Sequence, residues 1–191
     1  MSDNSTNLHQ TKLWKVLIQR RSVLFGLIIL FVIGFCAVFA PWITSIDPSA
    51  IAVRSRLLPP GAEHWLGTDE FGRDIFTRLI YAGRVSLTVG IGVAIISSFV
   101  GSIMGLVSGF FKRLDGPISR LVDAMMAFPD ILLAISLVAV LGGTVTNVII
   151  ALSIVYTPRI ARIVRASTLV IRELPYVEAS KALGIGTPTI L

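Results

Sequence analysis

Long apolar stretches separated by polar ones dominate the chain. Residues 23–43 and 85–111 contain no charged side chain. Each stretch is long enough to cross a bilayer as a helix that rises about 1.5 Å per residue. Residues 121–141 and 147–163 are also strongly apolar and hold few charges. The pattern predicts four transmembrane helices, with one long polar segment, 44–84, between the first two.

The N-terminal tail, residues 1–22, ends in an amphipathic pattern. Leu13 and Leu17 lie four residues apart, as do Trp14 and Ile18, whereas the charged positions fall elsewhere on the helical wheel. This pattern is typical of a helix that lies in the headgroup region beside a first span. An ordinary juxtamembrane tail remains the alternative.

The third and fourth predicted spans carry interruptions. Pro129 cannot donate a backbone hydrogen bond, so we expect a kink or a new helix start there. The neighbouring Asp130 belongs either to an ion path in the membrane or to a helix N-terminus near the cytoplasmic interface, where the dipole favours an anion. We expect the second. Arg159, Arg162 and Arg165 recur every three residues and are expected to extend toward headgroups.

The second predicted span carries small residues at a four-residue period. They are Ser97, Gly101, Gly105 and Gly109. Small side chains on one face let another helix approach closely, which is how helices pack in a membrane. We therefore expect this face to be a helix–helix contact.

The composition supports a membrane protein. Hydrophobic residues make up 54% of the 191 residues and charged residues only 15%, against about 25% charged in soluble domains. The mean hydropathy is +0.82. Such a chain has too few polar residues for a soluble globule and is too apolar for intrinsic disorder. A disulfide scaffold is excluded because Cys36 is the only cysteine. The fold class is therefore an all-α, polytopic membrane protein.

The basic residues set the expected orientation. The segment 44–84 holds five of the 17 lysines and arginines, and the other twelve fall in segments that share a side with the N-terminus. Cytoplasmic segments are enriched in basic residues, so we expect the N-terminus inside and 44–84 outside. Topology thus accounts for the net charge of +6, and no nucleic-acid partner is needed.

The chain offers little catalytic chemistry. His64, Asp69, Glu70 and Asp74 could be drawn as metal ligands, but neither a close second histidine nor a cysteine cluster accompanies them. Salt bridges within the outer segment explain these carboxylates as well. There is also no nucleophile elbow and no credible cysteine–histidine pair. We expect no enzyme activity, no metal and no cofactor.

Two segments resemble a known family. Residues 64–87, HWLGTDEFGRDIFTRLIYAGRVSL, resemble the signature that precedes the second span in inner-membrane permeases of dipeptide, oligopeptide and nickel ABC importers. Residues 178–184, EASKALG, resemble the EAA loop of such permeases, with Ser180 where the family usually has alanine. Residues 127–135 also resemble the third span of the family. The resemblance covers about 12–191.

The resemblance implies a fold with six spans, four of which are expected here. The chain stops within the EAA region, 173–191, so a partial permease is expected. In the family this region forms a coupling helix that docks into a cytoplasmic ATPase. Pro175 suits the first turn of such a helix, and Gly184 suits a left-handed C-terminal position. The implied coupling residues are Glu178, Ala179, Ser180 and Gly184.

The resemblance also implies the function. It indicates a permease subunit of an ATP-driven, binding-protein-dependent importer, expected to carry peptides across a bacterial or archaeal inner membrane. The implied partners are a second permease, ATPase subunits that bind the ATP, an extracytoplasmic substrate-binding protein and the lipid bilayer. Two alternatives stay open: an ion-coupled secondary transporter or channel subunit that uses Asp130 in a broken third helix, and a membrane scaffold without transport.

Overall fold

The computed structural model describes residues 20–184, apart from the side chain of Lys181. Most of the amphipathic pattern in the tail and the end of the EAA region, 185–191, lie outside the described residues. Seven α-helices and one short 3₁₀ turn make up the regular structure of the described part. The helices are α1 (Arg21–Val38), α2 (Ala40–Ile43), α3 (Ile75–Phe110), α4 (Lys112–Met126), α5 (Asp130–Leu141), α6 (Val145–Ile171) and α7 (Pro175–Ala182), and the 3₁₀ turn is Val53–Ser55.

Three helices within residues 20–184 are long and apolar enough to cross a membrane: α1, α3 and α6. The consecutive helices α4 and α5 pass the same test together but are bent by 91° at the break between them, so they form either a fourth, broken span or a re-entrant segment. This confirms the prediction of an all-α polytopic membrane protein. The chain divides into two compact units, Met1–Leu87 and Thr88–Leu191.

In the first unit, the predicted first span of residues 23–43 is interrupted. Helix α1 ends at Val38, and the short helix α2 follows with Pro41 near its start. Proline lacks the N–H that a continuous helix would need at this position. The N–H of Phe39 still reaches the carbonyl of Phe35, at 2.9 Å, and completes the last turn of α1.

Helix α3 begins within the predicted outer segment, at Ile75. Asp74 explains this start: its Oδ2 accepts a hydrogen bond from the backbone N–H of Thr77, at 2.7 Å. A side-chain acceptor of this kind satisfies one of the free amides of the first turn. With 36 residues, α3 is about 54 Å long, which exceeds the hydrocarbon thickness of ~30 Å. Part of α3 therefore extends beyond the hydrocarbon core.

The outer segment folds back on itself at a tight turn. Gly72 has a φ of +76°, in the left-handed region that favours glycine. A Cβ at Gly72 would lie 1.9 Å from the carbonyl oxygen of Ala52. The N–H of Ala52 in turn donates to the carbonyl of Phe71, at 3.2 Å. Only glycine permits this approach of the two backbones.

In the second unit, α3 and α6 run in the same direction. Gly101 lies against Thr157, Gly105 against Ala161 and Gly109 against Thr168. Residue numbers rise together along both helices, so the helices are parallel. Parallel neighbours require the chain between them to return to the starting end, and α4 and α5 make this return.

Helix α4 includes residues 112–120, the charged stretch between the second and third predicted spans. The structure continues this segment as a helix to Met126. Asp115 lies in its first turn, where a carboxylate is stabilised by the helix dipole. Residues 121–126 of the predicted third span therefore belong to α4, and a sharp bend separates them from α5.

Prolines and glycines mark the ends of α5. Pro129 precedes the helix, Asp130 opens its first turn, and Gly142, with a φ of +95°, ends it. The next helix, α6, is capped by Thr144, whose Oγ1 accepts from the N–H of Asn147 at 3.2 Å. Helix α6 continues through Pro158 to Ile171, well past the end of the predicted fourth span.

Candidate functional site

The short helix α7 follows α6 after a turn at residues 172–174. Pro175 occupies its first position, where the missing N–H has no intrahelical partner to lose. The carbonyl of Leu174 accepts hydrogen bonds from the N–H groups of Val177, at 2.9 Å, and Glu178, at 3.3 Å. These hydrogen bonds join the turn directly to helix α7.

Helix α7 has one buried and one exposed face. Val177 is buried, with 2% of its surface accessible. Tyr176, Glu178 and Ala179 are exposed, and Ser180 is half-buried, with its hydroxyl donating to the Tyr176 carbonyl at 2.8 Å. Three of the four predicted coupling residues therefore lie together on α7. An exposed face bearing a carboxylate and small side chains is available to a partner surface.

Gly184 lies two residues beyond α7. Its φ is +77°, which is left-handed backbone, and a Cβ there would meet no atom within 4 Å. The N–H of Leu183 donates to the Ala179 carbonyl at 3.0 Å and closes the helix. A side chain at Gly184 would therefore be disfavoured by backbone conformation rather than by a clash within this chain.

A shallow, open cavity of about 410 Å³ adjoins α7. It is lined by Phe110, Lys112, Arg172, Glu173 and Glu178, so both signs of charge meet there. Arg172 is fixed by a hydrogen bond from its guanidinium to the carbonyl oxygen of Gly109, at 2.7 Å. This bond joins the turn before α7 to the end of α3.

The small face of α3 lies directly against α6. A Cβ at Gly101 would stand 2.9 Å from the Thr157 carbonyl oxygen, and one at Gly109 would stand 2.6 Å from the Thr168 Cβ. Separations this short do not occur between real side chains and backbone, so glycine is required at both positions. The result is a close backbone contact that holds α3 and α6 in fixed register.

Ser97 and Gly92 lie nearer the start of α3 than the three glycines. Ser97, also predicted for the small face, is buried and bonds its own helix, with its hydroxyl donating to the Val93 carbonyl at 2.6 Å. Gly92 was missed by the sequence analysis, because it lies outside the four-residue period. A Cβ at Gly92 would lie 3.2 Å from the side chain of Ile149 on α6.

The three regularly spaced arginines of α6 bind aspartates of α4 and α5. Arg165 binds Asp115 through two hydrogen bonds, of 2.5 and 2.8 Å. Arg162 binds Asp123 at 2.6 Å. The expectation that these arginines extend toward headgroups did not include these carboxylate partners.

Arg159 makes the third pair, with the carboxylate of Asp130 at the start of α5. Of the two interpretations of Asp130, the structure supports the helix N-terminus, because α5 begins at this residue. The bound guanidinium also neutralises the carboxylate. The alternative of an ion site at Asp130 is therefore not favoured.

The outer segment contains a second polar cluster, around Asp69. Its Oδ1 accepts from the N–H groups of Phe71, at 2.8 Å, and Arg73, at 3.0 Å, while Oδ2 binds the side chains of Arg73 and Arg78. Partial desolvation raises the pKa of Asp69, but these hydrogen bonds and the arginine charges outweigh it and lower the pKa to about 2. The carboxylate is thus ionised under all physiological conditions.

Asp74 links several parts of the outer segment. Its Oδ1 lies 3.0 Å from Nδ1 of His64, and its Oδ2 caps α3. Thr77, which it caps, shares a hydrogen bond of 2.8 Å with the hydroxyl of Thr44. Desolvation raises the pKa of Asp74, and the hydrogen bonds from Thr77 and His64 outweigh it, so the pKa lies below its ordinary value. Asp69 and Asp74 thus hold the outer segment together through hydrogen bonds and ion pairs, as expected from its sequence.

Two family models match the chain. Residues 97–191 match the model described as binding-protein-dependent transport system inner membrane component. Residues 11–60 match the model described as the N-terminal TM domain of oligopeptide transport permease C. The two matches cover residues 11–22 of the tail, the first span and nearly the whole second unit.

Individual relatives agree with these models. A Brucella suis protein named as a peptide transport system permease is 50% identical over 88% of this chain and 57% of its own length. The dipeptide transport system permease protein of Alkalihalophilus pseudofirmus is 42% identical over 93% of this chain and 59% of its length. The di/tripeptide transport system permease protein of Pseudomonas aeruginosa is 40% identical, over 91% and 60% respectively. The chain thus spans 57 to 60% of the length of these relatives.

Proposed function

Because the chain belongs to the family of binding-protein-dependent transport system inner membrane components, we propose that it is a membrane-spanning permease subunit of an ATP-driven importer. In this role it forms part of the translocation pathway and couples to cytoplasmic ATPase subunits through α7. The coupling residues are Glu178, Ala179, Ser180 and Gly184.

The observation that carries this proposal is the connection of α7 to the helices behind it. Its exposed face bears Glu178 and Ala179, and its turn is fixed to the end of α3 by Arg172. Helix α6 leads directly into that turn and packs backbone to backbone on α3. A push on α7 therefore moves two membrane helices together instead of bending a loop, because close-packed helices transmit displacement.

The proposed partners follow from this arrangement. The chain itself would do no chemistry, because ATP is bound and hydrolysed by the ATPase subunits that contact α7. A second permease would complete the pathway, and an extracytoplasmic binding protein would deliver substrate on the side of residues 44–74. Most lysines and arginines lie in the other polar segments, on the side of the N-terminus, and this supports a cytoplasmic N-terminus in the bacterial or archaeal inner membrane.

Peptides are the proposed substrate class. The three relatives described above are named for transport of peptides, dipeptides and di- or tripeptides. They share between 40 and 50% of aligned residues with this chain. Short peptides are therefore the first substrates to test.

Two substitutions on and beside α7 test the coupling site. In the importer assembled with its partner subunits, we expect Glu178→Lys and Gly184→Val to reduce the amount of ATPase that co-purifies with the permease. The first reverses a charge on the exposed face, and the second places a β-branched residue at left-handed backbone, which costs roughly 1 kcal/mol or more.

Matched control variants distinguish a loss of ATPase docking from a general loss of folding. Glu70→Lys makes the same charge reversal on the exposed outer segment, and Gly143→Val adds the same side chain where nothing lies within 4 Å and φ is not positive. Both controls should retain ATPase. Equal recovery of ATPase with the wild type and with both α7 variants would overturn the assignment of α7 as the coupling helix.

A further inference from the structure

The break between α4 and α5 is flanked by two ion pairs to the same helix. Asp123 lies on α4, before the break, and binds Arg162 of α6. Asp130 lies on α5, after the break, and binds Arg159 of α6. The bend of 91° is thus held from both sides by side chains one helical turn apart on α6. We refer to these two pairs as the clasp.

The ion pairs between α4 and α6 differ in their number of hydrogen bonds and in their exposure to solvent. Arg165 and Asp115 are joined by two hydrogen bonds, with Ser119 donating a third to Asp115 at 3.1 Å, and both side chains are about one-third exposed. A bidentate pair of this kind is strong and geometrically fixed. Arg162 and Asp123 share a single contact, and both are more than half exposed. Pairs this exposed are weak and can break and re-form.

Two ion pairs tie α4 to α6, one near each end of α4. Between Asp115 and Asp123 the chain advances by eight residues, or about 12 Å of helix, whereas their partners Arg165 and Arg162 are only three residues apart, about 4.5 Å. The two aspartates are thus farther apart along α4 than their partners are along α6. Helix α4 is anchored at its start by Arg165 and restrained near its end by Arg162.

A cavity beside the clasp leaves room for movement of α4. It has a volume of about 210 Å³ and lies between α3, α4 and α6. Its lining includes Ser119, Val122 and Asp123 of α4 and Arg162 of α6. The cavity also adjoins Arg165, so it extends along α4 between its two ion pairs with α6. Val122 is nevertheless buried, with 5% of its surface accessible.

We propose that Asp123 and Asp130 are positioning residues for transport: their pairs with Arg162 and Arg159 set the angle at the 127–129 break and carry movement of α6 into α5. The inference rests on the proposed function, because it takes α7 as the element that the ATPase moves. Helix α6 transmits the movement of α7. The Asp115–Arg165 pair holds the start of α4 in place. The two pairs of the clasp then convert the movement of α6 into a change of the angle between α4 and α5.

The test compares transport with hydrolysis in the assembled importer, reconstituted in vesicles with its partner subunits. The variants are Asp123→Asn and Arg162→Gln, which remove one charge each at exposed positions, and the charge exchange Asp123→Arg with Arg162→Asp. Neutral variants should fold normally, with an unchanged unfolding temperature and unchanged recovery of ATPase. We expect the number of dipeptides taken up per ATP hydrolysed to fall between about two- and thirtyfold, the range of energetic coupling seen along such paths.

The charge exchange and a control variant on α4 test whether the ion pair itself is required. Exchange of the two charges should restore most of the uptake per ATP, because it re-forms the ion pair with the partners reversed. The unchanged unfolding temperature and ATPase recovery of the neutral variants exclude a merely structural role. Arg120→Gln removes an exposed charge from α4 outside the three pairs and should leave the ratio unchanged. Wild-type uptake per ATP in both neutral variants would overturn the proposal, and so would an exchange variant with no more uptake per ATP than either neutral variant.

The outcome is distinguishable from failure of the proposed function. If the chain were not an importer subunit, the unmodified assembly would show neither ATPase association nor ATP-dependent uptake. If only the clasp were misassigned, the unmodified assembly would transport normally and the clasp variants would match it.

Discussion

Gly105 of α3 lies directly against Ala161 of α6. A Cβ on Gly105 would stand 2.7 Å from the carbonyl oxygen of Ala161 and 2.6 Å from the Cβ of Val164. Neither neighbour can move easily, because one is backbone and the other is a β-branched side chain within a helix. Substitution of Gly105 must therefore separate the two helices.

The first prediction follows from this contact. We expect Gly105→Leu to lower the free energy of unfolding by ~1–3 kcal/mol, the usual cost of overpacking. The measurement is the thermal unfolding midpoint of the purified protein in detergent. Gly90→Leu is the matched control, because Gly90 lies in the same helix and a Cβ there meets nothing within 4 Å. Equal midpoints for the two variants would show that α3 and α6 do not pack through this face.

The second prediction concerns pH and the outer segment. The folded pKa of Asp69, about 2, lies below the ordinary aspartate pKa of 3.8. A depressed carboxyl pKa stabilises the fold above the unfolded value, and this contribution is lost as pH falls through the folded value. We therefore expect hydrogen-exchange protection of the Phe71 and Arg73 amides to fall between pH 4 and pH 2.

Asp69→Asn provides the comparison for this titration. The amide keeps an acceptor but cannot carry the charge that binds Arg73 and Arg78, so protection should be lower at neutral pH and insensitive to pH from 4 to 2. Amides in the middle of α3 report global unfolding and should stay protected throughout. Wild-type protection that persists unchanged to pH 2 would contradict the assigned role of Asp69.

The sequence predicted features that depend on local pattern. Glycines at a four-residue period predicted the face of α3 that meets α6, and Pro129 predicted a new helix start at Asp130. The ion pairs of α6 were not foreseen, because the paired residues lie 29, 39 and 50 positions apart in sequence. Arginines at a three-residue spacing indicate one helix face, but nothing local specifies which anions that face meets.

The outer segment shows the same limit. Its polar character predicted a segment outside the membrane, yet the requirement for glycine at Gly72 arises from Ala52, twenty positions earlier. The carbonyl oxygen of Ala52 would touch a Cβ at Gly72. The start of α3 at Ile75 likewise depends on how Asp74 is held by His64. Contacts between residues distant in sequence determine both features, and such contacts cannot be predicted from the hydropathy pattern.

The third prediction tests the orientation. In a Cys36→Ser background, we expect Ser49→Cys to react with an impermeant thiol reagent added outside intact cells, and Gly116→Cys to react only after the membrane is opened. Both positions are exposed. The expectation follows from the distribution of lysine and arginine. Reaction of position 116 but not of position 49 from outside would reverse the topology.

The ATP dependence of dipeptide uptake tests the central claim most directly. The importer, with its partner permease, ATPase subunits and binding protein, is reconstituted in vesicles that contain ATP. We predict uptake that requires ATP, persists when ionophores dissipate ion gradients, and falls when the permease carries Glu178→Lys. Uptake without ATP that is driven by an ion gradient and abolished by Asp130→Asn would contradict the account and favour an ion-coupled transporter.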